Sequence, residues 1–130
     1  MRGVLFAAEN DTQGITLVRC VRRADSFVTR LRGLTFRRRL GKDEGLWLVG
    51  RSESRAEAAI HMFFVFFPIG VLWLDRTDRV VDKVLARPFR PFYAPRSPAV
   101  GVLECAPGVL DRVEIGDRLR FVSYEREDEK

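Results

Sequence analysis

His61 is the single histidine of the chain, so any imidazole acid–base chemistry near neutral pH must use it. It lies in an apolar stretch beside Ile60, Met62, Phe63 and Phe64. In an extended segment, alternate side chains face opposite ways, which puts His61 with Phe63 and Val65. Two readings stand side by side. One is a core or edge histidine satisfied by a backbone carbonyl; the other is an imidazole lining a pocket with carboxylates from neighbouring strands. The carboxylates for that role are Asp75, Glu104 and Asp117. Two of them close together could transfer protons or hold a hard cation. Asp75 and Asp117 fit strand-ending turns equally well, since Asp there bonds its own backbone. Glu104 differs because it interrupts the apolar run Val100, Gly101, Val102, Leu103, and a buried carboxylate is costly unless paired.

Other chemistries lack their residues. Ser26, Ser52, Ser54, Ser97 and Ser123 have no G-x-S-x-G setting, and Cys20 and Cys105 have no histidine near them in sequence. There is no G-x-G-x-x-G or phosphate-loop pattern. One histidine and two cysteines fall short of the roughly four N or S ligands of a zinc site. No metal site and no cofactor is expected, although a site built from oxygen ligands stays open. Cys20 and Cys105 read as buried free thiols of a cytoplasmic chain, with a disulfide as the alternative.

Binding chemistry is better represented. Residues 87–98 hold four of the six prolines and combine Phe89, Phe92 and Tyr93 with arginine. Such a rigid irregular loop is either the rim of a binding groove, with those rings as anchors, or a strap over one end of the fold. A second feature is basic: between Arg19 and Lys42 nine basic residues face one acid, Asp25. That face could bind nucleic acid, or it could simply be solvated. The phenylalanines do not interleave with it, and this weakens the nucleic-acid reading.

These residues must be carried by a small domain. The 130 residues suffice for one core, and 46% apolar with 32% charged residues describes an ordinary globular chain of net charge +5. The twenty arginines against three lysines are read as genome composition rather than function. β-prone runs cover 4–9, 15–21, 46–49, 60–67, 71–74, 79–86, 100–105 and 118–124. Phe27, Leu31 and Leu34 follow Asp25 at helical spacing and predict one short helix, and 107–112 predicts a helical turn. The expected fold is a compact β-rich α+β single domain over 1–124, a small barrel-like antiparallel or mixed sheet with one or two short helices. Residues 125–130 form a charged tail. The N-terminal run is too short for a secretory leader, and 60–75 is too short and too interrupted to span a bilayer. A cytoplasmic protein is expected.

Several pieces in order resemble a known family: Arg32-Gly33-Leu34 with Phe36-Arg37, Gly45-Leu46, Ile60-His61-Met62, Phe67-Pro68-Ile69, Leu74-Asp75, Leu103-Glu104, Pro107-Gly108 and Ile115-Gly116-Asp117. Together, over about residues 15–122, they resemble the prokaryotic domain of unknown function 192 family. The resemblance implies one small β-rich domain with no established activity; many members look exported or lipid-anchored. It also suggests Arg32 as the partner of Glu104, since the same motif set carries both. The family usually has an acidic residue where this chain has Gly70, which puts in doubt any site relying on that carboxylate.

The expected function is therefore a non-catalytic module binding a small molecule or protein partner. Its site is a groove formed by Arg32, His61, Asp75, Glu104, Phe89, Phe92 and Tyr93. The alternatives are nucleic-acid binding through the 19–42 face and a hydrolase pairing His61 with a carboxylate.

Overall fold

The computed structural model describes residues 2–24, 40–62, 65–90 and 92–127, the side chains at 2, 3, 126 and 127 excepted. Its strands are β1 (Arg2–Asn10), β2 (Ile15–Ala24), β3 (Glu44–Ser54), β4 (Ile69–Leu74), β5 (Val80–Ala86), β6 (Ala99–Cys105) and β7 (Leu119–Glu127). A 3-10 helix, Pro107–Arg112, lies between β6 and β7. The helix expected after Asp25, and Arg32 with it, lies outside the described residues.

All seven strands form one sheet in the order β5-β4-β6-β3-β2-β1-β7. Only β2 and β3 pair in parallel; every other neighbour is antiparallel. This matches the β-rich class expected from the many short apolar runs. Closure is partial. The residues just before the edge strands β5 and β7 meet in an isolated bridge, Arg79 to Arg118, so the sheet curves towards a barrel while its ladder stays open.

Three sequence expectations need correction. The described residues of 60–67 are not strand: Ile60 forms one isolated bridge to Tyr93, and the chain bends at Phe67 before Pro68. The segment is apolar because it covers the sheet, and burial of a covering layer leaves the same run of apolar residues as burial of a strand. β3 extends well beyond the apolar 46–49, to Ser54, because its polar outer half also reaches β6, where Ser54 pairs with Ala99. β7 continues to Glu127 because β1 offers backbone partners back to Arg2, so the first residues assigned to a tail are strand.

The curved sheet is packed on both faces. One cluster joins Val18, Val21, Leu72, Leu74, Leu103 and Cys105 with Val109 and Val113 beside the 3-10 helix. The other joins Leu46, Val71, Trp73 and Val102 with Ala58, Ile60, Met62, Val65, Phe67 and Tyr93 of the covering segments. Because β4 lies between these clusters, all six of its residues are buried. Its unbroken apolar run follows from burial on both faces. Gly70 of β4 has a local reason: a Cβ there would meet the Ala106 carbonyl oxygen at 3.1 Å and Leu110 Cγ at 3.2 Å, under the 3-10 helix.

Candidate functional site

The aromatic loop and the His61 segment come together as an irregular two-stranded ribbon. Ile60 and Tyr93 exchange N–H···O bonds of 2.9 Å in both directions, the Met62 N–H donates to the Arg90 carbonyl at 3.2 Å, and the Phe89 N–H donates to the Met62 carbonyl at 3.0 Å. Alternation sets the orientation: Ile60 and Met62 are buried against the sheet, and His61 between them is half-buried. The sequence expectation that His61, Phe89, Phe92 and Tyr93 share one region therefore corresponds to a hydrogen-bonded unit.

Four tethers hold this unit. Trp73 donates its indole N–H to the Ala58 carbonyl at 2.8 Å, just before the ribbon. The Tyr93 ring is buried, and its hydroxyl accepts the Arg87 N–H at 2.8 Å. Arg55 Nε donates to the Pro95 carbonyl at 3.1 Å. Asp82 on β5 accepts the Arg96 N–H at 2.9 Å and its guanidinium at 2.9 Å. Burial pushes the Asp82 carboxyl up, but the Arg96 side chain and N–H, the Lys83 N–H and the Arg96 charge outweigh it and hold it below its ordinary value of 3.8. A depressed folded value contributes stability above the unfolded value and loses it as pH falls through the folded one. Amides around Arg96 are thus expected to lose protection, relative to their intrinsic exchange rates, as pH falls through the depressed folded value. In Asp82→Asn that protection should be low throughout and its pH dependence absent. Hydrogen exchange against pH in both proteins checks this, and an unchanged profile in the variant would refute it.

The outer surface of the ribbon is aromatic and basic. Phe66 and Phe89 meet edge-on, with centroids 5.1 Å apart and planes at 75°. Their exposures are 49% each, and Phe92 reaches 60%. Arg87 and Arg90 are exposed beside them, Arg90 lying 4.9 Å over the Tyr93 ring. Phe89 has φ +62°, a left-handed conformation that a bulky residue adopts only when its surroundings impose it. Sequence reading missed Phe66, Arg87 and Arg90 as site residues, although the alternation Arg87-x-Phe89-Arg90-x-Phe92 was there to see.

Other candidates lie elsewhere. Glu104 is fully buried on β6 and in register with Leu46 and Val71, so it points to the sheet face that the ribbon covers. Asp75 lies in the turn that follows β4, two residues after Trp73. Its carboxylate accepts the Thr77 N–H and hydroxyl and the Arg79 N–H at 2.8–3.0 Å, which is the turn role. Asp117 accepts from Asn10 Nδ2 at 2.8 Å, Gln13 Nε2 at 2.7 Å and the Glu114 N–H at 3.0 Å, a clamp between the β1–β2 turn and the start of β7. A shallow cleft of about 190 Å3 lies at the same turn, where Arg120 already bonds Glu9 at 2.8 Å. Cys20 and Cys105 are both free thiols. Burial, and then the neighbouring Glu104, push the Cys105 thiol up to about 12, which makes it unreactive. Among the described residues no three His, Cys, Asp or Glu side chains converge on a common point.

The comparisons agree with this fold and with the ordered motifs. A family model described as "Uncharacterized ACR", domain of unknown function 192, matches residues 7–121. The chain belongs to the domain of unknown function 192 family. Among its relatives is a UPF0127 protein of Thermococcus sibiricus, 38% identical over 93% of this chain and 76% of that protein. A UPF0127 protein of Pyrococcus furiosus is 36% identical over 86% of this chain and 95% of its own length. The fold of this family member also resembles a protein of unknown function from Novosphingobium aromaticivorans, with TM-score 0.78 and 22% identity over 90% of this chain and 84% of that one. A candidate transcription regulator from Sinorhizobium meliloti has TM-score 0.76 and 22% identity over 93% and 94%. At that identity the likeness concerns fold alone. Among the described residues of this family member, no helix is long and apolar enough to cross a membrane.

Proposed function

We propose that this member of the domain of unknown function 192 family is a non-catalytic binding module of the cytoplasm, and that its site is the outer surface of the 60–62/89–93 ribbon. The observation that carries this reading is Phe89. Its backbone is held in a left-handed conformation, and the ring so presented is half-exposed against Phe66. Strain of about 1–3 kcal/mol persists where surrounding structure imposes it, and such strain clusters at binding sites. His61, Phe92 and Tyr93 belong to the same unit, with Tyr93 as its buried anchor. Glu104 is buried on the sheet face beneath. The two free thiols fit a reducing compartment.

Phe89→Gly separates the two explanations of that residue. Glycine adopts positive φ without penalty, so relief of strain offsets the lost ring contact of about 1 kcal/mol. The variant is expected to melt at or above the parent temperature, yet to lose whatever the gently purified parent carries as extra mass in native mass spectrometry. A variant that is destabilised by more than about 2 kcal/mol, or that retains the bound mass, would assign Phe89 to structure and end the proposal.

A further inference from the structure

We propose that the partner of this ribbon is single-stranded nucleic acid, a reading that rests on the binding role proposed above. Residues 87–98 contain three arginines and no acid, and residues 60–67 contain no acid. The surface is therefore suited to an anionic partner. Of the loop carboxylate neighbours described, Asp82 is already occupied by Arg96. Arg87 and Arg90 remain exposed at the surface beside the rings.

The order of residue types narrows the partner further. Arginine and phenylalanine alternate as Arg87, Phe89, Arg90, Phe92, and Phe66 from the facing segment adds a third exposed ring. A single strand alternates in the same way, with a phosphate and an unpaired base in every nucleotide. Stacking of bases on aromatic rings tolerates any sequence, and arginines along the track bind the phosphates. A duplex would present stacked, paired bases to these rings, and an acidic peptide would leave the flat rings with no matching surface. Beside the described part of the Arg19–Lys42 face the rings are already engaged: Arg23 lies 5.3 Å over Trp47, which stacks on Phe121 at 3.9 Å, and Tyr124 donates its hydroxyl to the Arg19 carbonyl. The site is thus placed on the ribbon rather than on that face.

The test uses the full chain and a fluorescently labelled oligothymidine of about 12 nucleotides, followed by anisotropy at roughly 50 and 200 mM salt. The parent is expected to bind with an affinity that falls as salt rises. Phe89→Gly combined with Phe92→Ser should weaken binding by about 30-fold or more while the protein stays folded. Arg87→Gln with Arg90→Gln should weaken it and lower the salt slope by about 1.4, the contribution of two phosphate contacts to a single strand. Arg19→Gln with Arg22→Gln, both exposed on β2, should leave it within about twofold. The inference is overturned if the parent does not bind the oligonucleotide. It is equally overturned if the β2 pair weakens binding while the ribbon variants do not, which would be diffuse electrostatic attachment. Should native mass spectrometry show a protein or small molecule that depends on Phe89 while oligothymidine fails, the binding role stands and the nucleic-acid assignment falls.

Discussion

Trp73→Ala is expected to cost about 4 kcal/mol, within the range for deleting a fully buried large aromatic side chain. Trp73 is 1% exposed at the centre of the cluster beneath the ribbon. Its removal leaves a cavity that Val71, Val102 and Ile60 cannot fill without moving the covering segment. It also orphans the Ala58 carbonyl, which accepts the indole N–H at 2.8 Å. Trp73→Phe keeps much of the volume and loses the hydrogen bond, and should cost about half as much. The second effect is local. With the Ala58 tether gone, amides of residues 58–62 should exchange faster than those of β1 and β7 in either variant. Urea melts and hydrogen exchange measure both quantities. A Trp73→Ala loss below about 1.5 kcal/mol would mean that the cover is only loosely seated on the sheet.

The other large effect is expected at Asp117, whose carbonyl accepts the Val80 N–H at 2.8 Å. One carboxylate oxygen there accepts three donors, from Asn10, Gln13 and the Glu114 backbone. Asn10 is fully buried, and Asp117 is nearly so. Asp117→Ala strands these donors, of which Asn10 Nδ2 keeps its 3.1 Å bond to the Arg112 carbonyl. The expected cost is about 3 kcal/mol. Burial pushes the Asp117 carboxyl up, but the Glu114 N–H, Asn10, Gln13 and the charge of Lys83 together hold it below 3.8. Its contribution is therefore present above the unfolded value and is lost as pH falls through the folded one. Asp117→Asn should destabilise the protein near neutrality and flatten the acid side of its stability profile. A profile that stays as steep as the parent's would assign the acid sensitivity to Asp82 and Asp75.

Much of the sheet was legible because strand burial leaves a local signature. The apolar runs at 71–74 and 100–105 became β4 and β6, and the helical turn at 107–112 appeared where Pro107 opens it. The 60–67 run misled because apolarity reports burial and not hydrogen bonding. Backbone groups there pair with residues 89–93 across a loop, and no periodicity encodes such a pairing. Of the candidate site, the loop rings were legible in the sequence and their partners across the ribbon were not. Asp75 belonged to the right motif, yet its carboxylate is consumed by its own turn. Phe66 belongs to the aromatic surface only because its segment folds back against Phe89.

The amino-acid sequence by itself determined the β-rich class, the family, the burial demanded of Glu104 and the ring-and-arginine alternation of the loop. All of these are properties of residue type and short-range order. Tertiary structure decided which of these residues meet. It paired β2 with β3 in parallel, brought β5 and β7 together at Arg79 and Arg118, and laid residues 60–62 along 89–93. Such pairings depend on which surfaces remain after each strand has buried its own face. That choice is made by the whole chain, and it is what turned a stretch read as a strand into a cover that supports an exposed aromatic surface.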